Sequence, residues 1–531
     1  MATFHLIQHV VILSLVLLHV PMESDGEKIL IFPCTHIFNS RTLNLEKISV
    51  MLRDHGHTVS MLVGDHYKPK MNVSGIELIV YKMPELWVNK GGELDLNTTM
   101  YYVEKDPMPF VKEIEKVDYM MAENLLEDQQ LVKRLKAAGF SLLFVDMSNM
   151  AVNYFLREYL DIPSIAYNNF GFFDIWFYFN QPSFPSYMPY ILTDFSDNMT
   201  FTERLQNLDF VIEAEEWANE KIETMDKLKQ KYLPNENWPS ARHTYQRMSL
   251  FIAANVNFAF DYPRPVMPHV KPISGLLWTP PKPLPKFYAN IMASATQGVI
   301  LMSFGTLVPT LPKDKAEILA KVFAKLPQKV IWRYKGVAPK FLGKNTYLVD
   351  WFPQNDLLAH PATKLFITHC GVSSTWETLY HAVPVVAMPL LWDQQHQARK
   401  LKERAKIGEI VVFSSLSEEA LETAINKVLN DRSYKENAVR MSKLLQDTPM
   451  SGQEELLFWI NYVIRHNGTL HFHSQATYRL NWYQYYLLDV IAYKLLVQCL
   501  YYAMYLSLGV ISWKLLKKIL TMFQGKKEKA H

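Results

Sequence analysis

Three cysteines in 531 residues, Cys34, Cys370 and Cys499, are too few for a disulfide framework, and none has a neighbour at zinc-ligand spacing. The fold must stand on its apolar core, and 49% hydrophobic residues suffice for two cores of usual size. Net charge is almost absent: 55 basic against 52 acidic side chains leave +3. That balance implies no basic surface able to track a nucleic-acid backbone, so no nucleic-acid partner is expected. No D-x-D pair occurs, so no dedicated metal site on a diphosphate is expected, and there is neither a short internal repeat nor an extended low-complexity tract.

What is present begins with two apolar ends of different kinds. Val10 to Val20 is interrupted only by Ser14 and His19 and suits the h-region of a signal peptide, with residues 1–25 expected to be removed. Leu495 to Trp513 carries no charge and, at about 1.5 Å rise per residue, is long enough to cross a bilayer. Lys514, Lys517, Lys518, Lys526, Lys527 and Lys529 follow, so the tail 514–531 is expected in the cytosol and everything before the span in the lumen. The expectation is a single-pass type I protein with a transmembrane helix over 490–513. Lys527 and Lys529 also sit where a K-x-K-x-x retrieval signal to the endoplasmic reticulum has its lysines. Four sequons, at Asn72, Asn97, Asn198 and Asn467, fall on the luminal side and are candidate glycosylation sites.

Between these ends the pattern is α/β. A β-rich run from Lys28 to Phe32 leads through a polar loop to a helical pattern over about 40–52 and a second strand over 57–63. The apolar strand SLLFV ends on Asp146, so His36 and Asp146 both stand at strand exits, where parallel sheets place their ligands. The proline-dense stretch from Asp261 to Pro285 reads as an interdomain linker, set at 266–290, dividing a domain over 26–265 from a second over 291–485 whose last helices return to the first. The second domain repeats the strand and helix alternation from Val299 onward.

The most informative segment is WFPQNDLLAHPATKLFITHCGVSSTWETLYHAVPVVAMPLLWDQ, from Trp351 to Gln394. A strand runs into His369 and Gly371, then a helix with Ser373 and Ser374 in its first turn. A helix start offers unpaired N–H groups to a diphosphate, and Gly371 lets the backbone approach closely. Glu377 can accept from two ribose hydroxyls, Trp351 offers a face to a flat base, and Asp393 and Gln394 could hold sugar hydroxyls. Taken singly, Trp351 is as well explained as a core aromatic, Ser373 as a helix cap and Asp393 as a cap of the next helix. Their joint order and spacing favour a ligand.

In these residues the chain resembles the UDP-glycosyltransferase family, whose signature is W-x2-Q, then H-x-G-x3-S/G-x2-E, then D-Q. The strings PQNDLL and DYPRP are similar to those of vertebrate UDP-glucuronosyltransferases. The resemblance implies two facing Rossmann-like domains of GT-B type and a UDP-sugar co-substrate with no further cofactor. It places Trp351 on uracil, Gln354 and Glu377 on the nucleoside, Thr306, His369, Ser373 and Ser374 on the phosphates, and Asp393 and Gln394 on the sugar. Cys370 stands where vertebrate members often have Gly or Ala, and Ser373 where Asn is common.

Transfer needs a base for the acceptor hydroxyl. His36 is the candidate, with Asp146 fixing its tautomer and stabilising the imidazolium. The expected acceptor is a small lipophilic hydroxyl compound held by the first domain, where NNFGFFDIWFYFNQPSF suits an apolar pocket. UDP-glucuronic acid is the expected donor, with Arg264 as candidate partner of its carboxylate. UDP-glucose, UDP-galactose and UDP-N-acetylglucosamine remain alternatives, and a non-catalytic nucleotide-sugar-binding membrane protein is the rival from another class. The sequence leaves the monomer and the homo- or hetero-oligomer equally open.

Overall fold

A computed structural model describes residues 26–35, 39–84, 108–172, 179, 181–276 and 278–527. The expected signal segment, residues 1–25, lies outside them. The chain forms two compact units, one ending at Phe472 and one starting at His473.

The first unit holds two parallel sheets. Strands β1 (Lys28–Phe32), β2 (Thr58–Gly64), β3 (Glu77–Tyr81), β4 (Leu142–Asp146), β5 (Ser164–Asn168), β6 (Leu250–Ala254) and β7 (Val270–Ile273) run in the order β3-β2-β1-β4-β5-β6-β7. Strands β8 (Val299–Ser303), β9 (Lys329–Arg333), β10 (Thr346–Val349), β11 (Thr363–Thr368), β12 (Val385–Ala387) and β13 (Gly408–Ile410) run as β10-β9-β8-β11-β12-β13. Parallel strands covered on both faces read as continuous apolar runs, and VILMS of β8 is buried at every residue. Strand order reverses between β1 and β4 and again between β8 and β11. Crevices open at such switch points beyond the carboxyl ends of the strands.

Alternate side chains feed separate cores. Leu30 and Phe32 of β1 join Leu143 and Val145 on one face, while Ile29 and Ile31 join Leu142 and Phe144 on the other. That second face is covered in part by the helix Gly452–Arg465, whose Leu456, Ile460 and Val463 are fully buried in the same core. Spacing of four and three residues puts those side chains on one stripe, and a Ser451–Glu454 capping box fixes where the helix begins. Gly452 is required there, because a Cβ would overlap the carbonyl oxygen of Ser274 beside β7.

The expected linker over 266–290 needs correction. Strand β7 lies inside it and pairs in parallel with β6, so the first sheet continues past residue 265, and a helix, Lys286–Ala293, begins before 290. Pro272 is tolerated because β7 is an edge strand, with a partner on one side only. The domains are also tied by three cations of two consecutive elements. Arg399 ends the helix Gln394–Arg399 and donates to the Asp194 carbonyl at 2.5 Å; in the π-turn Lys400–Arg404, Lys400 meets Asp261 at 2.6 Å and Arg404 the Phe258 carbonyl at 2.7 Å.

The second unit contains a short helix, Trp482–Tyr485, and the helix Leu488–Lys527. Over Leu488–Met522 the latter has mean hydropathy 1.6 in its most apolar window, and it is long and apolar enough to cross a membrane.

Candidate active site

The carboxyl ends of β8 to β12 carry the predicted donor residues. After β8 the chain turns through Gly305, at φ 71°, into Thr306, and beside it β11 delivers His369. The imidazole is wedged between two glycines, for a Cβ on either Gly305 or Gly371 would come within 2.6 Å of its Nε2. Both positions are therefore restricted by the ring, and Gly305 by its positive φ as well. Burial pushes His369 down to about 4, so the ring is neutral and can offer one N–H. Cys370 adopts φ 66°, a conformation that Gly takes freely and a side chain enters at some cost. A glycine at this position would be unstrained.

Gly371 is the N-cap of the helix Val372–Tyr380 and supplies no side-chain cap, so the first N–H groups lack an internal acceptor. Ser373 is thus inside the helix and is not its cap. Ser374 is buried and accepts from Gln354 Nε2 at 3.0 Å, while the same amide donates to Glu377 Oε2 at 2.7 Å. Glu377 lies in the second turn; burial raises its pKa, with Gln354 and Lys47 pulling the other way.

Trp351 follows β10 and is 63% exposed, which removes the core reading; Trp376, at 5%, takes the core role against Phe260. The Arg333 guanidinium covers one face of the Trp351 indole, 5.2 Å from its centroid, and also bonds the carbonyls of Gly305 and Asp350. The loops after β8 and β10 are thereby held together.

Asp393 precedes the helix Gln394–Arg399 without capping it, and its Oδ2 is buried with no partner. Burial lifts its pKa to about 7. Gln394 turns its carbonyl oxygen to the N–H groups of Leu390 and Leu391 at 2.8 and 3.0 Å, so it shapes the loop after β12. Arg264 lies in a crevice with Phe170, Asn255, His396 and Gln397; its guanidinium is 4.9 Å from the Phe172 centroid and its Nε has no partner. Burial brings Arg264 down to about 10.

On the first domain Asp146 closes β4 at the switch point, fully buried. Its carboxylate is gripped by Arg41 of the helix Asn39–Asp54, a residue that the sequence reading did not single out. Also missed was the asparagine cluster beside it. Asn169 Oδ1 accepts from Asn44 at 2.8 Å and Asn255 at 2.9 Å, and Asn168 joins Arg41 at 3.4 Å. Polar residues ending apolar strands were the available signal, but the partners are far apart in sequence. His36 and Asn97 lie outside the described residues, as does part of the aromatic stretch 168–184. Asn72, Asn198 and Asn467 are exposed.

Comparison with known proteins agrees with this arrangement. Residues 27–528 match the family model "UDP-glucoronosyl and UDP-glucosyl transferase". UDP-glucuronosyltransferase 1A4 of Homo sapiens is 32% identical over 494 residues, covering 91% of this chain and 90% of that one. UDP-glucuronosyltransferase 2A3 of Mus musculus is 31% identical over 487 residues, covering 88% and 89%. Among solved structures, a UDP-glucose: anthocyanidin 3-O-glucosyltransferase in complex with UDP superposes with TM-score 0.56 at 16% identity, over 84% of this chain and 100% of that one. Two parallel α/β domains facing across a crevice, with this signature at the strand ends of the second, make the chain a glycosyltransferase of GT-B fold that belongs to the UDP-glucoronosyl and UDP-glucosyl transferase family.

Proposed function

We propose that the protein transfers glucuronic acid from UDP-glucuronic acid to a hydroxyl of a small lipophilic acceptor, with inversion, on the luminal side of the endoplasmic reticulum membrane. The observation that carries the donor reading is Arg264. The residue is half-buried, its Nε is buried without a partner, and it makes no ion pair among the described residues, while the nearby Asp261 is already taken by Lys400 at 2.6 Å. A half-buried cation without an ion-pair partner among the described residues favours an anionic ligand group, which glucuronate has and glucose lacks. The relatives named above, glucuronosyltransferases by name, support the same sugar.

In this reading UDP lies on the second domain, with uracil on the open face of Trp351, the ribose at Glu377 and Gln354, and the diphosphate at Thr306, His369, Ser373, Ser374 and the helix start behind Gly371. Asp393 and Gln394 meet the sugar hydroxyls. His36 takes the acceptor proton as the oxygen attacks the anomeric carbon, and Asp146 stabilises the resulting imidazolium. The bond from that carbon to the β-phosphate breaks on the opposite face, which inverts the centre, and its electron pair leaves with UDP. N–H groups at a helix start act on that developing charge without a metal. The span near Leu495–Trp513, the lysines after it and the K-x-K-x-x ending support a type I topology with sequons Asn72, Asn97, Asn198 and Asn467 in the lumen.

The test combines a panel of UDP-sugars with His36→Ala. Glucuronate should be preferred, and His36→Ala should lose most transfer to an alcohol while UDP affinity stays near the parental value. Preference for UDP-glucose would overturn the role of Arg264, and full activity of a folded His36→Ala would overturn the base.

A further inference from the structure

Arg41 stands five positions after the candidate base, on the helix that follows β1, and reaches the end of β4. Its Nη2 donates to Asp146 Oδ1 at 2.5 Å and its Nε to Oδ2 at 3.0 Å, with the two side chains 2% and 0% exposed. The Ser148 N–H takes the second position on Oδ1 at 2.8 Å. A carboxylate oxygen accepts about two hydrogen bonds, and among the described residues Oδ2 accepts only the one from Arg41. The guanidinium is held in turn by the Phe170 ring, 4.8 Å from its centroid, and by Asn168.

We infer that Arg41 is a positioning residue of the transfer reaction. Its fork fixes the orientation of the Asp146 carboxylate, and its fixed positive charge behind the carboxylate keeps the base unprotonated near neutral pH. The inference rests on the reading of His36 and Asp146 given above. Among the described residues, the charged and titratable groups facing Arg41 are Asp146 on β4, Cys34 after β1, Tyr167 on β5 and Asp393 from the second domain. Burial drives Tyr167 upward, which keeps it neutral, and Asp393 sits at about 7.

Two substitutions separate geometry from charge. Lysine keeps the charge but offers no planar fork, so Arg41→Lys should lower kcat toward an aliphatic alcohol about tenfold and leave the acid limb of kcat/KM where it was. Arg41→Gln removes the charge, and loss of a cation near an imidazole raises the imidazole pKa; the acid limb should move up by about one pH unit. UDP affinity, measured by calorimetry on the full-length protein, should change less than about twofold in both, because UDP binds the other domain. Parental kcat in Arg41→Lys, or a loss in folded Arg41→Gln that is equal at every pH, overturns the inference. If Arg41→Gln does not fold, Arg41→Lys decides alone through kcat. His36→Ala run in parallel distinguishes the two levels: activity there sinks the dyad itself, whereas an inactive His36→Ala beside parental Arg41 variants sinks only the role of Arg41.

Discussion

Gln354 Nε2 stands 2.7 Å from Glu377 Oε2 and 3.0 Å from Ser374 Oγ, so one amide ties the helix Gln354–Leu358 to two turns of the helix Val372–Tyr380. The amide holds Glu377 in place before any ribose arrives. In the proposed site Glu377→Gln puts two amides face to face and exchanges a charged acceptor for a neutral one. Hydrogen bonds to charged groups are worth about 1.5–3 kcal/mol, so UDP affinity should fall by roughly one to two orders of magnitude. Calorimetry with UDP reads this directly, and affinity within twofold of the parent would take Glu377 off the ribose.

Trp351 has Arg333 on one face of its indole and is otherwise largely open. Base stacking on an aromatic is worth about 1–3 kcal/mol, which Trp351→Ala should forfeit in UDP binding. Thermal stability should change little, since the side chain is 63% exposed. A large fall in melting temperature with unchanged UDP affinity would reassign Trp351 to holding the loop.

Asp393 yields a prediction whose sign depends on pH. Burial lifts its folded pKa to about 7 from the ordinary 3.8, so the folded state keeps a proton that the unfolded state has released. The resulting penalty is absent below about pH 4, grows between pH 4 and 7, and is complete above 7. Asp393→Asn removes it. In the absence of donor the variant should be more stable than the parent at pH 8, by at most about 4 kcal/mol, and no more stable at pH 4. The same variant should lose most transfer activity, because the unpartnered carboxylate oxygen is what the sugar hydroxyl would meet. Equal melting temperatures at pH 8 would mean that the carboxylate is solvated in the free protein.

Strands such as β4 and β8 were readable because a buried parallel strand is apolar throughout, as in VILMS and LLFVD, and because polar residues mark its exit, whereas β3, β5, β6 and β13 were not read. The signature from Trp351 to Gln394 was readable because its members are close in sequence and the helix between them sets their spacing. Strand β7 was hidden by Pro272, whose missing N–H counts against a strand until the sheet order makes it an edge. Asp393 looked like a cap by local rules, and only its αR backbone and buried lone oxygen decide otherwise.

The sequence by itself determined the two α/β domains, the apolar helix at the end of the chain and the family, since each depends on periodicity or short spacing. Tertiary structure decided which polar side chains meet. Arg41 and Asp146 lie 105 positions apart, as do many parts of the crevice, and nothing local in either segment specifies the other. Their pairing arises because parallel crossovers bring the ends of β1 and β4 side by side at the switch point, where a buried carboxylate must find a cation or lose its charge.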